Sequence, residues 1–461
     1  MNDSNEVTYD EDRRFIIVNA TELQVPLTSA TIETILDIIE TKQRIVGLEI
    51  KRGERVTSGV ATVPLLNEIL PMLAGLSNFT DLTLGHIRIG GIELSALKSN
   101  LENLSSLRNL DLHNNLLGVR GAIILSGLQN LSSLTNLHLN SNYIGEKGAT
   151  VLSQVFPILS YLQSLDLGYN NIGLEGALAI SKSLHMLQQL RSLILQSNNI
   201  TSLGAEAVTD ALSTVPCFRS LDFGYNHIDK EGAYAFAARL KKLVNLESLS
   251  LRGNYLNSLG AAAVCRELHE CYLARVALMC FKMFQVRNRD WCITPSVIHR
   301  VLAIPALVDY IESYLPKGFH IRRLDLRKTS IQSTFDVQRG ELALDDCTVL
   351  LTQIKTLRYI NIERNTIVCV NLKLFLLPHL KSIRLSGNHF IRQPPKELCL
   401  EMVNDPDILE YREYAKKEIR HQAAVYGAVT TLNICLSRHS QAATGNLTGT
   451  THVYDGVAVD L

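Results

Sequence analysis

The chain has 461 residues, and its 45 lysines and arginines balance 45 aspartates and glutamates, for a formal net charge of zero. That balance argues against a strongly basic nucleic-acid binder, and the length admits two to four ordinary domains or one long repeat array. Nine cysteines (Cys217, Cys265, Cys271, Cys280, Cys292, Cys347, Cys369, Cys399 and Cys435) contain no CxxC pair. This count points to reduced thiols in a cytosolic protein rather than to a disulfide framework or a zinc site.

The chain begins with MNDSNEVTYDEDRR, too acidic and polar for a signal peptide. Helix-like ATIETILDIIETKQ follows, and then RIVGLEI, in which Ile45, Leu48 and Ile50 carry strand spacing. Residues 1–78 read as a degenerate first repeat and cap, because a repeat array needs a polar end. FTDLTLGHIRIGG keeps the apolar positions of the repeat, with Ile87 where asparagine belongs.

From Leu107 the frame is L-x-x-L-x-L-x-x-N-x-L-x-x-x-G, and it recurs at Leu134, Leu162, Leu190, Phe218 and Leu246 in steps of 27 or 28 residues. Regular repeats are expected over residues 79–284. The leucines of LxL point one face of a short strand inward, with strands expected near Leu112, Leu139, Leu167, Leu195, Phe223 and Leu251. The asparagine column (Asn115, Asn142, Asn170, Asn198, Asn226 and Asn254) falls where the chain leaves the strand, and a buried amide there can satisfy backbone groups that no ladder reaches. The glycine is expected to open a helix such as GALAISKSLHML, packed behind the strand. These residues resemble ribonuclease-inhibitor-type leucine-rich repeats. The resemblance implies an α/β solenoid, a horseshoe with a parallel sheet on its concave side and helices on its convex side.

Downstream, Leu273, Val276 and Leu278 suggest one more strand, with Phe281 in the asparagine slot. The apolar run CYLARVALMCFKMF is interrupted by Arg275 and Lys282 and is too short to span a bilayer. Residues 285–320, with the single tryptophan Trp291, break the frame and read as a helical or irregular insertion. Shorter or irregular repeats resume over 321–400 as IRRLDLRKTSI, LRYINIERNTI and LKSIRLSGNHF. A capping helix containing ILEYREY is expected over 401–422, and a poorly ordered tail over 423–461.

The segment GNHFIRQPPKEL and its charged helix resemble the junction in Roco-type proteins, where leucine-rich repeats give way to a Ras-like GTPase domain. That resemblance places a phosphate loop at Arg438–Gly445, after an apolar strand with Leu432, Ile434 and Leu436. Arg438 and Ala443 stand in place of its glycines, Thr444 in place of its lysine and Gly445 in place of its magnesium-binding hydroxyl. The loop therefore reads as degenerate, with no nucleotide and no other cofactor expected.

No HExxH, GxSxG or metal-spaced Cys/His cluster occurs, so neither enzymatic activity nor a metal is expected. The residues facing the concavity include Asp111, His138, Asp166 and Asp222 between the leucines, with Tyr169, Tyr225 and Arg252 just beyond them. Tyr169 and Tyr225 each follow a glycine, expected to clear space around the ring, and stand two strands apart, roughly 10 Å. Rigid aromatics of this kind are suited to anchoring a protein partner. Inward charge changes from Asp81, Asp111, Asp166 and Asp222 to Arg252, Arg323, Arg327, Lys328, Arg364 and Arg384, a pattern that would orient a long partner or a second copy.

The function expected is that of a non-enzymatic cytoplasmic scaffold or sensor in signalling, binding a protein partner on the concave face without nucleic acid or membrane. Two alternatives stand beside it. The 28-residue repeats also resemble those of Ran GTPase-activating proteins, which implies a small GTPase as partner. The tail after Gln422, however, has only Asp455 and Asp460 where those proteins have a long acidic run. The other alternative is the repeat portion of a shortened Roco-type GTPase.

Overall fold

The computed structural model describes residues 5–20, 29–42, 44–52, 62–128, 130–285, 321–333, 335–336, 341–343, 346–367, 369–388 and 433–435. The expected insertion, capping helix and phosphate loop therefore lie outside the described residues, apart from Gln285. The chain divides into two compact units, Met1–His227 and Ile228–Leu461.

The first unit opens on an antiparallel hairpin, β1 (Asn5–Asp10) with β2 (Phe15–Ala20), which the sequence reading did not anticipate. Helix α1 (Ser29–Thr41) leads to β3 (Gly47–Arg52), which pairs parallel with β2. Thereafter helix and strand alternate: α2 (Thr62–Ala74), β4 (Asp81–Thr83), α3 (Gly91–Glu102), β5 (Asn109–Asp111) and α4 (Gly118–Ser126). The alternation continues through β6 (Asn136–His138), α5 (Gly145–Leu152), β7 (Ser164–Asp166) and α6 (Gly173–Leu184). It ends with β8 (Ser192–Ile194), α7 (Thr201–Leu212) and β9 (Ser220–Asp222). Strands β1 to β9 are joined in chain order, all parallel from β2 onward.

The strands centre on Leu110, Leu137, Leu165, Leu193 and Leu221, two residues earlier than expected. The second leucine of each LxL still bonds across (Leu112 N–H to His138 C=O, 2.9 Å), but the backbone then turns toward the buried asparagine and the regular ladder ends. Both leucines face the core, Leu110 and Leu112 being at most 1% exposed.

The asparagines tie neighbouring repeats together, and Asn170 joins three. Asn170 Nδ2 donates to Leu139 C=O in the preceding repeat (2.8 Å) and to Leu167 C=O in its own (3.0 Å). Its Oδ1 accepts from the amides of Asn142 (2.9 Å) and Ile144 (3.3 Å), and its own amide donates to Asn198 Oδ1 (2.9 Å). Asn142 departs from this scheme, because its Oδ1 is buried with no partner. One repeat earlier the turn is built differently: Leu116 bridges Gly90 and its amide goes to Ile89 C=O, whereas the equivalent Tyr143, Asn171 and Asn199 are left-handed.

The glycine column sits inside the first helical turn and does not open the helix. A Cβ on Gly176 would lie 2.7 Å from Ile172 Cγ2 and 3.0 Å from Ala149 Cβ, so this glycine allows neighbouring helices to approach. The helices begin three residues earlier, at positions such as Gly118, Gly145 and Gly173, whose φ values of 54–66° suit glycine.

The second unit holds α8 (Lys230–Leu240), β10 (Ser248–Ser250) and α9 (Asn257–Gln285). The strand expected around Leu273, Val276 and Leu278 is instead part of α9, 29 residues long, and Phe281 lies in the same helix. The polar turn that follows LxL elsewhere is missing here, so nothing halts the helix. Strands β11 (Arg323–Asp325), β14 (Tyr359–Asn361) and β16 (Ser382–Arg384) continue in parallel from β10. Two antiparallel pairs accompany them: β12 (Phe335–Asp336) with β13 (Glu341–Leu342), and β15 (Cys369–Asn371) with β17 (Asn433–Cys435). The asparagine scheme persists at Asn365, whose Oδ1 accepts from Thr329 and Ile331, while Thr329 fills an asparagine slot and bonds Leu326 C=O at 2.7 Å. Helix α10 (Cys347–Leu351) faces α9 through Cys347 and Cys265, buried free thiols with sulfurs 3.6 Å apart. The hydrogen bond to Cys265 and burial push the Cys347 thiol well above its ordinary value.

Asn170→Ala removes five hydrogen bonds and orphans buried backbone groups in two repeats. It is expected to lower unfolding free energy by about 1–3 kcal/mol or more. Exposed Lys147→Ala is expected to stay within about 0.5 kcal/mol. Paired urea melts measure both.

Candidate functional site

The outward positions of the sheet are set by strand alternation, with each middle leucine buried and its flanking residues partly exposed. In the first unit, register places Asp111 beside His138, His138 beside Asp166, Asp166 beside Ile194 and Ile194 beside Asp222. Tyr169 and Tyr225 occupy the same turn slot two repeats apart, with φ of 57° and 54°. Left-handed backbone disfavours bulky side chains, and Gly253 occupies this slot at φ 68° in the second unit. Local stability alone therefore does not call for tyrosine. Tyr169 is 53% exposed, and its hydroxyl accepts from Nε2 of the buried Gln196. Tyr225 is half-buried.

The aspartates contribute to the turn itself. Asp166 Oδ1 accepts from Gly168 N–H at 2.9 Å, and Asp222 Oδ1 from Gly224 N–H at 2.8 Å. A Cβ on Gly168 would lie 3.2 Å from the Asp166 carboxylate and 3.5 Å from Gln196 C=O. That glycine thus makes room for the aspartate and the neighbouring strand, not for the tyrosine ring as expected. Burial holds the Asp166 carboxyl above its usual range, and Asp222 and Asp111 add to the shift.

Next to these residues lies a histidine cluster. His113 Nδ1 lies 2.6 Å from Asp111 Oδ1, and its ring meets His86 edge-on with centroids 4.5 Å apart. A Cβ on Gly85 would stand 2.2 Å from the His113 ring, so the glycine is the seat of that ring. The signal was present in the sequence: Gly85 and His113 are 28 residues apart, one repeat. The hydrogen bond to Asp111 raises the His113 pKa against the effect of burial. Burial tends to raise Asp111, but its hydrogen bonds with His113 prevail and hold it below the carboxylate range. Arg252, the remaining predicted residue, lies in the second unit and is half-buried.

A family model described as a leucine-rich repeat matches residues 159–181, 187–208 and 216–237. These segments carry leucine-rich repeats. The chain's alternating helices and parallel strands are the α/β solenoid architecture of such repeats, and Tyr169 and Tyr225 each fall inside a matched segment. No curated protein matches the chain. Among the described residues no helix is long and apolar enough to cross a membrane, and no group of His, Cys, Asp or Glu is arranged to hold a metal ion.

The His113–Asp111 pair makes stability depend on pH. The folded chain binds the His113 proton more tightly than the unfolded chain, whose value is near 6.5. Its contribution is complete below that value and is lost as pH rises through the folded pKa. The Asp111 contribution runs the other way and is lost as pH falls through its depressed value. Urea melts from about pH 6 to about pH 9 should show a decline of no more than about 1 kcal/mol that His113→Gln lacks.

Proposed function

We propose that this chain is a non-enzymatic scaffold or sensor with ribonuclease-inhibitor-type repeats, binding a protein partner on the sheet face of its first unit. Tyr169 is the observation that carries the reading: a large ring, half-exposed, held rigid by Gln196 in a backbone slot that glycine would fill more readily. A ring already held loses little freedom on burial, so its contact area counts almost fully toward affinity. Tyr225 supplies a second anchor in the same column. Asp166 and Asp222 flank the two rings, Asp111 and His138 extend the polar surface, and the charges set register with the partner. Unpatterned cysteines favour a cytosolic setting, in which a signalling partner would meet the protein.

The test is affinity capture followed by quantitative mass spectrometry, comparing wild type with Tyr169→Ala/Tyr225→Ala. A partner should be lost at least about tenfold in the double variant, the equivalent of ~1.4 kcal/mol, at unchanged thermal stability. Lys241→Ala/Lys242→Ala, exposed at the end of α8, should retain it. Normal recovery by the tyrosine variant and loss in the lysine variant would move the working surface to the helices.

A further inference from the structure

The sheet face of the second unit has a different chemistry. Arg323, Tyr359 and Ser382 stand side by side across β11, β14 and β16, as do Asp325, Asn361 and Arg384. In the following turns Lys328 and Arg364 are both left-handed, at φ 54° and 51°, and Gly387 holds the same slot at 71°. A Cβ on Gly387 would lie 2.9 Å from Arg364 Cγ, so the glycine leaves room for the Arg364 stem. Arg327 stands one residue before Lys328. At the entry to the strands Arg322, Arg358 and Lys381 are likewise in register through backbone bonds of 2.9 and 2.7 Å.

The carboxylates on this face are engaged. Asp325 Oδ1 accepts from the Arg327 amide at 3.0 Å, Glu363 is buried and accepts from the Ser386 hydroxyl, and Glu247 pairs with Arg322 at 3.4 Å. Among the described residues the side chains of Arg327, Arg364 and Arg384 pair with no carboxylate, and Arg327 Nε is buried without a hydrogen-bond partner. Strands lie about 4.8 Å apart, so these cations crowd within about 10 Å and repel one another. Long cations in left-handed slots, set beside like charges, weaken the fold on two counts. An anion from outside would relieve one of them.

We propose that this face docks an acidic protein segment, with aspartate and glutamate carboxylates pairing with Arg327, Arg364 and Arg384. Arginine's planar fork suits such discrete carboxylates. Asp325 and Glu363 interleave with the cations, which disfavours a continuous polyphosphate backbone but leaves gaps between individual carboxylates. The Tyr359 ring is already covered by the Arg323 guanidinium, 4.7 Å from its centroid, which removes the stacking platform that single-stranded nucleic acid uses. No large exposed apolar side chain occurs among the described residues of these repeats, so the face has nothing to insert into a bilayer. This surface goes beyond the tyrosine site and does not depend on it.

The experiment uses the full chain and a fluorescein-labelled hexaglutamate peptide, followed by fluorescence anisotropy at low ionic strength. Wild type should bind, and binding should weaken as salt is added. Arg364→Glu/Arg384→Glu should lose at least tenfold in affinity, with the neutral pair Arg364→Gln/Arg384→Gln intermediate. Lys241→Glu/Arg266→Glu, the same charge change at exposed helical positions, should shift affinity less than twofold, as should Tyr169→Ala/Tyr225→Ala. Circular dichroism confirms folding, and the neutral pair decides the matter if the reversed pair is unfolded. Absence of hexaglutamate binding overturns the proposal. Equal losses in the helical control overturn it as a local site, and tighter binding of labelled hexauridylate assigns the face to nucleic acid instead.

Discussion

A buried carboxamide at the end of each strand is the interaction on which the repeats depend. The strands have only three residues, too short to pair every backbone group, and the chain must then turn within the core. Turning there strands amides and carbonyls away from water, where each unpaired group is costly. An asparagine has donors and an acceptor on one rigid plane, so a single residue can meet carbonyls in two repeats and amides in one of them. Aspartate lacks the donors and leucine lacks both. Other features follow: the leucines fill the space beneath the ladder, and small glycines admit the helices closely enough to maintain the register.

Much of this was legible because the repeat multiplies its own evidence. One LxL triplet is ambiguous, whereas leucine, asparagine and glycine recurring at 27 or 28 residues fix strand, turn and helix together. Reading became unreliable where the period lapsed. The hairpin β1–β2 has no counterpart to compare, and Leu273, Val276 and Leu278 carry strand-like spacing without the polar turn that would have stopped α9.

At the candidate site, strand alternation marked the outward residues but not their attachments. Asp166 stood out as a charge, and its hydrogen bond to Gly168 N–H shows that it also closes its own turn. Gly168 looked like clearance for a ring and proves to be clearance for a carboxylate. Gly85 passed unremarked, although it seats His113 from the repeat behind. That last relation runs between residues 28 positions apart and becomes visible only when columns are read across repeats as well as along them.

The opening hairpin has a consequence for how the sheet can be extended. A parallel sheet that stopped at β2 would offer an edge matching, in direction and register, the strands of any second copy, and such edges template association. Because β1 runs antiparallel to β2, the outermost strand opposes every repeat strand in the first unit. Another array could continue the parallel stack at that end only by displacing it. The hairpin thus acts as a directional stop, closing that end to a further parallel strand.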